Sequence, residues 1–350
     1  MAQEKILFGK NSKGEDVYKY CISNEAGMKA EFIDFGASVT SIQVFDKESK
    51  SRDVILSYDN VERYEKGMTY FGAVVAPYAN RIADAKFEID GVCYELDANN
   101  YENNLHSGRN GLSKKIWQVA EQTENKIVFT YDVKDMEFGF PGNVTYKVTY
   151  EVTEKNELEI SYYARTDKKT TINMTNHAYF NLNGTTSGSI EKHMLWIKAN
   201  AFTAIKDAKA IPTGENVLVE GTPFDFRVEK EIGRDIDDDF EQLKYGWGYD
   251  HNFALAKETA GLEKIATVCG DLSGIQMDVW TDCIGVQLYT GSCVGGDLGP
   301  NGHRYVDRAG LCLETQYFPN AINEPKFVKP ITNAGCEYRS KTVYAFSIRN

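Results

Sequence analysis

Apolar and polar residues alternate with a period of two over residues 146–153, where Tyr146, Val148, Tyr150 and Val152 are separated by Lys147, Thr149, Glu151 and Thr153. After the polar stretch 154–156 the alternation resumes with Leu158, Ile160, Tyr162 and Ala164. Side chains of a strand point to opposite faces in turn, so this pattern predicts an antiparallel hairpin with one face on a core and one in water. A second hairpin is predicted over 86–96, with Asp90-Gly91 as its two-residue turn, because both residues tolerate positive φ. Further strands are expected at 33–45, 127–132, 195–198, 276–280, 285–290 and 343–348. Helical signal is confined to two short stretches, 60–64 and 240–244. No repeat, low-complexity tract or flexible linker divides the chain. Many strands, turn-rich connections and few short helices predict an all-β fold of antiparallel sheets packed as a large sandwich, in a single domain covering 1–350.

The chain has 350 residues, 42% of them apolar, enough for a sizeable core. Its formal charge is −12 and its pI is near 5.1. An acidic surface repels phosphate backbones and anionic lipid, so neither nucleic acid nor a membrane is the expected partner. No run approaches the ~20 apolar residues of a spanning helix, and the opening residues Met1-Ala2-Gln3-Glu4-Lys5 lack the basic-then-apolar pattern of a secretion signal. The seven cysteines are odd in number and scattered, with no Cys-x-x-Cys. They read as reduced thiols of a cytoplasmic protein.

Two short strings hold the candidate chemistry. Glu314 lies in Leu313-Glu314-Thr315-Gln316-Tyr317-Phe318-Pro319, and His177 in Asn176-His177-Ala178-Tyr179-Phe180-Asn181. Each is set in a strand-like stretch dense with aromatics and amides. A carboxylate and an imidazole suit a general base and a general acid facing each other across a small polar substrate. His106, in Asn103-Asn104-Leu105-His106-Ser107-Gly108, has a loop-type composition. Either histidine could be read as a core residue held by hydrogen bonds; the surrounding amides and ring faces equally suit sugar hydroxyls and C–H patches. Asp250, in Trp247-Gly248-Tyr249-Asp250-His251-Asn252-Phe253, fits a turn as well as it fits a pair of neighbouring hydroxyls. Arg81, after Asn80, offers a rigid donor fork, or else a surface ion pair.

Other chemistries find no motif. There is no paired His/Cys spacing for a metal, and the acidic run 235–239 lacks the Gly and closing Glu of a calcium loop. Neither a phosphate-binding glycine loop nor a Gly-x-Ser-x-Gly elbow is present.

Taken together, the strings resemble the aldose 1-epimerase (galactose mutarotase) family. The matching stretches are Asn80-Arg81-Ile82-Ala83; Asn104-Leu105-His106-Ser107-Gly108; Thr175-Asn176-His177-Ala178-Tyr179-Phe180-Asn181-Leu182; Ile211-Pro212-Thr213-Gly214; Thr222-Pro223-Phe224-Asp225-Phe226-Arg227; Tyr249-Asp250-His251-Asn252-Phe253; Gly285-Val286-Gln287-Leu288-Tyr289-Thr290; and Leu313-Glu314-Thr315-Gln316. They run in the family's order from about residue 30 onward. The resemblance implies a galactose-mutarotase-like β-supersandwich with the sugar in an open cleft, no cofactor, no metal, and a monomer or homodimer. It implies interconversion of the α and β anomers of free aldohexoses such as D-galactose and D-glucose. Glu314 would be the base at the anomeric hydroxyl and His177 the acid at the ring oxygen. Asn80, Arg81, His106, Asp250 and Gln287 would hold the hydroxyls, with Tyr179 beside the acid. Mutual attraction would raise the histidine's pKa and lower the glutamate's. The chain departs from the family at Ser107, where Gly is usual, and at Ala76-Pro77, where Gly-Arg is usual. Alternatives to be weighed are a sugar sensor without catalysis, a glycoside hydrolase using Asp250 and Glu314, and a mutarotase of hexose 6-phosphates, with Arg81 and Arg109 as phosphate ligands.

Overall fold

The computed structural model describes residues 5–349; residues 1–4, part of the opening stretch read for a secretion signal, lie outside them. The predicted hairpin is present as the strands Val144–Val152 and Glu157–Thr166, paired in unbroken antiparallel register. Tyr146, Val148, Tyr150 and Val152 are buried and meet Leu158, Ile160, Tyr162 and Ala164 on one face. Burial of each such aliphatic side chain stabilises the fold by about 1.5–3 kcal/mol. The hairpin sits within a nine-stranded sheet ordered Gln118–Gln122, Lys126–Val133, Val144–Val152, Glu157–Thr166, Glu337–Ile348, Ile275–Thr281, Glu263–Cys269, Met194–Ile197, Lys230–Glu231.

Two five-stranded sheets accompany it. One runs Ile6–Lys10, Asp16–Ser23, Lys29–Ile33, Ser38–Phe45, Ser51–Asp53; the other runs Pro212–Leu218, Ala199–Ile205, Asp250–Leu255, Gly285–Tyr289, Cys312–Gln316. Every strand pairing within these three sheets is antiparallel. One apolar cluster joins all three, from Val39 and Ile42 through Val148 and Ile160 to Phe253, Val286 and Leu313. The two α-helices among the described residues are single short pieces, Val61–Lys66 and Glu241–Gly246. Asn60 starts the first, its side chain accepting from the Arg63 N–H. No helix among the described residues is long and apolar enough to cross a membrane.

The strand expected over 33–45 is two strands. Lys29–Ile33 and Ser38–Phe45 pair with each other across a turn in which Gly36 (φ 69) and Ala37 (φ 45) are left-handed. A Cβ on Gly36 would stand 2.6 Å from the Ser113 carbonyl oxygen, so the reversal requires glycine there. The stretch 32–39 conceals this turn because its residues, Asp34 and Ser38 included, are buried on both sides of it.

Candidate active site

Three structural units converge on one open cleft of ≈ 1190 Å³, its mouth included. The first is the sheet that ends in Cys312–Gln316. Its register aligns Asp250 with Tyr289 and Tyr289 with Cys312, and Asn252 with Gln287 and Gln287 with Glu314. Successive side chains of a strand alternate faces, so these two rows point to the same side of the sheet. His251, Leu288 and Leu313 point to the other, where His251 packs edge-on against Phe202 and Phe224. Asp250 therefore opens a strand, Asp250–Leu255, and the turn reading falls away.

The second unit is a clasp between the short strands Arg81–Ile82 and Asn104–Leu105. The Asn80 N–H donates to His106 Nδ1 (3.2 Å), and the His106 N–H donates to the Asn80 carbonyl (3.1 Å). Ser107 Oγ accepts from the Tyr78 N–H (2.7 Å) and donates to the Tyr78 carbonyl (3.1 Å). Asn80, His106 and Ser107 all have left-handed backbones (φ 62, 52 and 66), a cost that the clasp's hydrogen bonds offset.

The third unit carries His177. This residue follows the two-residue strand Thr175–Asn176 rather than lying within a strand. Its N–H donates to the Ala73 carbonyl, and its own carbonyl accepts from the Gly72 N–H. The Gly72 carbonyl in turn accepts from the Val39 N–H and from Asn176 Nδ2. Gly72 is left-handed (φ 63), and a Cβ there would be driven into the Val39 carbonyl oxygen. Only glycine lets the chain pass at this point.

At the floor of the cleft, Glu314 Oε1 lies 3.7 Å from His177 Nε2. The pair stands side by side on one wall rather than facing across a substrate. The imidazole is packed between ring faces, stacked on Tyr179 (5.1 Å) and Tyr70 (5.8 Å), with His106 edge-on at 5.2 Å. Glu314 is 2% exposed, and its Oε2 has no hydrogen-bond partner in the protein. Asp250 Oδ1 accepts from Gln287 Nε2 (2.7 Å), and Oδ2 lies 3.8 Å from Arg81 Nη1. Arg81 Nε donates to Asn100 Oδ1 (3.1 Å).

Of the residues expected at the site, Asn80, Arg81, His106, His177, Tyr179, Asp250 and Glu314 line the cleft. Gln287 does not. It sits behind Asp250, with its amide nitrogen on that carboxylate and its oxygen accepting from Gln316 Nε2 (3.3 Å). Sequence reasoning missed Tyr70, Asn100, Tyr101, Trp247 and Tyr289 as wall residues. Tyr289 had a signal, because it sits two residues beyond Gln287 on the same strand face; the others lie on loops and had none. Arg81 is the only Lys or Arg among the lining residues. Arg109 turns away to Asp97 and the Ala98 carbonyl. The cleft thus has no cationic cluster for a phosphate.

The electrostatics reverse one expectation. Burial, the largest influence, lowers the His177 pKa to about 4. Burial, followed by the charge of Asp250, lifts Glu314 well above the usual carboxylate range, with Arg81 opposing. Desolvation penalises both charged forms and outweighs their mutual attraction. His106 is likewise held neutral by burial, then by the neighbouring His177 and Arg81. With Nδ1 accepting the Asn80 N–H, the neutral His106 ring carries its hydrogen on Nε2.

That tautomer also bears on metals. Ligand atoms of His106, His177 and Glu314 lie within 4.8 Å of one another, a cluster that no sequence spacing announces. On His106, however, one nitrogen already accepts a backbone hydrogen and the other bears its own. A cation would have to break the clasp to gain that lone pair. The donor set does not fit a resident metal.

The chain is similar to known proteins over nearly its whole length. The family model described as aldose 1-epimerase matches residues 18–345. The chain is 37% identical over 346 residues to the galactose mutarotase of Rattus norvegicus, covering 98% of each. It is 34% identical over 329 residues to the aldose 1-epimerase of Escherichia coli K12, covering 93% of this chain and 94% of that one. An aldose epimerase homologue from C. elegans superposes with a TM-score of 0.88 at 29% identity, over 94% of this chain and 98% of that one. The chain belongs to the aldose 1-epimerase family.

Proposed function

We propose that Glu314 and His177 open and reclose the pyranose ring as a base and acid pair in an isomerase that interconverts the α and β anomers of free aldohexoses such as D-galactose and D-glucose. The ionised Glu314 takes the proton from O1. The O1–C1 double bond forms as C1–O5 breaks, and the proton on His177 Nε2 passes to O5. Rotation about C1–C2 offers the other face of the aldehyde, and the same groups with roles reversed close the ring. O1 and O5 share the C1 atom, so the acid and the base must stand side by side. The 3.7 Å approach of Oε1 and Nε2 is the observation that carries this reading.

The scheme requires the pair to hold one proton at every stage. In the empty cleft that proton favours the carboxyl, given the raised Glu314 and lowered His177. A sugar hydroxyl donating to Glu314 stabilises the carboxylate and draws the proton back to the imidazole. Arg81, Asp250, Asn80 and His106 are read as ligands of the remaining hydroxyls. His106 acts as an N–H donor, and Gln287 holds Asp250 in place. We read the chain as a single domain over 1–350, supported by the apolar cluster shared among its sheets. We also read it as a cytoplasmic monomer or homodimer acting on a free monosaccharide. The seven cysteines, all free, suit a reducing compartment.

Polarimetry on freshly dissolved α-D-galactose and α-D-glucose tests the assignment. The wild type should speed the optical change, and Glu314→Gln and His177→Asn should each lose about 10²–10⁴ of that acceleration while still binding galactose. Wild-type rates in either variant would overturn it.

A further inference from the structure

Behind the groups that line the cleft, three buried amides are joined by hydrogen bonds across the site sheet. Gln287 Nε2 donates to Asp250 Oδ1 (2.7 Å). Gln316 Nε2 donates to Gln287 Oε1 (3.3 Å) and to Asn252 Oδ1 (3.2 Å). Asn252 Nδ2 donates to Thr203 Oγ1 (3.0 Å), and the Thr203 hydroxyl donates to Asn216 Oδ1 (3.0 Å). The strand register allows this reach. Ala254, Gly285 and Gln316 form the row next to Asn252, Gln287 and Glu314, on the same face of the sheet. Long side chains in adjacent rows meet on the diagonal. A side chain at position 285 would close the gap, since a Cβ on Gly285 would stand 2.5 Å from Asn252 Oδ1.

We propose that Gln316 is a positioning residue for sugar binding: by donating to both neighbouring amides it fixes the direction of the Gln287 amide and, through it, the Asp250 carboxylate. The proposal rests on the reading of Asp250 as a sugar ligand. The two ends of each amide are not interchangeable here. A carboxylate only accepts, so Gln287 turns its NH2 to Asp250 and its oxygen to Gln316. Gln316 then offers one amide hydrogen to that oxygen and the other to Asn252 Oδ1, and Asn252 turns its own NH2 to Thr203. Every link has one direction, and Gln316 is the member that donates twice and accepts nothing. Its Oε1 is buried with no hydrogen-bond partner among the described residues. A residue chosen for packing alone would strand no acceptor there. The reversed amide would set that oxygen against two others. With Oδ1 tied to Gln287, the Asp250 carboxylate is held from turning, and Oδ2 stays beside Arg81 Nη1 (3.8 Å) for a hydroxyl.

Isothermal calorimetry with D-galactose and polarimetric kinetics on α-D-galactose, both with the intact protein, provide the test. Gln316→Met is of similar length and cannot donate. It should raise Kd and KM by roughly tenfold, the worth of one hydrogen bond to a charged group. Its kcat should stay within about twofold, because the lost binding is common to ground and transition states. Gln287→Met should behave alike. Combining the two separates positioning from packing: if Gln316 acts through Gln287, adding Gln316→Met to Gln287→Met should weaken galactose by less than about a further twofold, whereas independent effects would multiply to roughly a hundredfold. Gln316→Glu, equal in size, covers the case in which the methionine variant fails to fold. It sets oxygen where the wild type sets N–H, turns the Gln287 amide around, and should weaken galactose at least as far. An unchanged Kd in a folded Gln316 variant, or multiplying effects in the pair, would overturn the proposal. Asp250→Ala separates it from the reading beneath it. If that variant binds galactose as the wild type does, Asp250 is no sugar ligand and both readings fall. If it weakens galactose and Gln316→Met does not, the present proposal alone falls. Binding heats need no turnover, so the result stands apart from the roles given to Glu314 and His177.

Discussion

The hairpin Val144–Val152 and Glu157–Thr166 and the site strands Gly285–Tyr289 and Cys312–Gln316 are built from the same antiparallel pairing and serve opposite ends. In the hairpin, burial alternates residue by residue, and the polar side chains other than the terminal Thr166 stand at least partly in water. In Cys312–Gln316 every residue is buried. One face carries Leu313 into the core, and the other holds Cys312, Glu314 and Gln316 against the cleft and its backing. A buried polar atom left without a partner costs about 1–3 kcal/mol, and Glu314 Oε2 is such an atom. The hairpin is optimised for stability. The site strand instead holds a buried, desolvated carboxyl group against the cleft.

The largest expected effect that would break this contrast is at Glu314. Glu314→Gln should abolish about 10²–10⁴ of the catalysed rate and at the same time raise the thermal midpoint. It removes a desolvated acid whose charge Asp250 also opposes. A fall in the midpoint alongside the rate would show that Glu314 stabilises the fold after all.

Next is the mirror experiment in the hairpin. Ile160 is fully buried there, and Ile160→Ala should cost about 2–5 kcal/mol in chemical denaturation. The kcat of the folded fraction should be unchanged. A rate loss at Ile160 would mean that the two regions are not separable.

A smaller effect sharpens the comparison through pH. Burial lowers His251, on the site sheet, to about 3. Above its ordinary pKa near 6.5 it is neutral in both folded and unfolded chains and contributes nothing. Below that, only the unfolded chain takes up the proton, so stability falls as pH falls from about 6.5 toward 3. His251→Phe should therefore reduce the acid slope of stability by close to one proton, or ~1.4 kcal/mol per pH unit. Urea midpoints measured between pH 6.5 and 4.5 would show this, and an unchanged slope would place the acid sensitivity elsewhere. Least affected should be Thr145→Ala on the wet face of the hairpin, within about 0.5 kcal/mol, although its hydroxyl donates to Asp132.

The same contrast explains what could be read from the chain. The hairpin announced itself because half of it faces water, and Asp90-Gly91 announced the second one through its positive φ (53 and 80). Strands such as Glu263–Cys269, with consecutive buried residues on both faces, carry no alternation and were not foreseen. Glu314, His177, His106 and Asp250 stood out as candidates because amides and aromatics flank them in the sequence, and Asn80 through the family resemblance; the Asn80–His106 clasp left no sign there. Their electrostatics were not readable, since the direction of each pKa depends on desolvation that only the assembled cleft imposes. Gln287, expected among the sugar ligands from the family resemblance, backs Asp250 instead of lining the cleft. The Gln316–Asn252 contact joins residues 64 apart in the chain and leaves no local trace.

The strand Glu337–Ile348 lies between Glu157–Thr166 and Ile275–Thr281, near the middle of the large sheet. From there Tyr344 Oη donates to the Leu313 carbonyl, beside Glu314, and the Tyr338 hydroxyl accepts from the Met174 N–H, three residues before His177. A chain emerging from the ribosome will therefore expose every residue of the cleft while two strand edges still lack their shared neighbour. Until residue 348 clears the exit tunnel, those edges are open to pairing with other nascent chains, and that interval is when a chaperone would matter most.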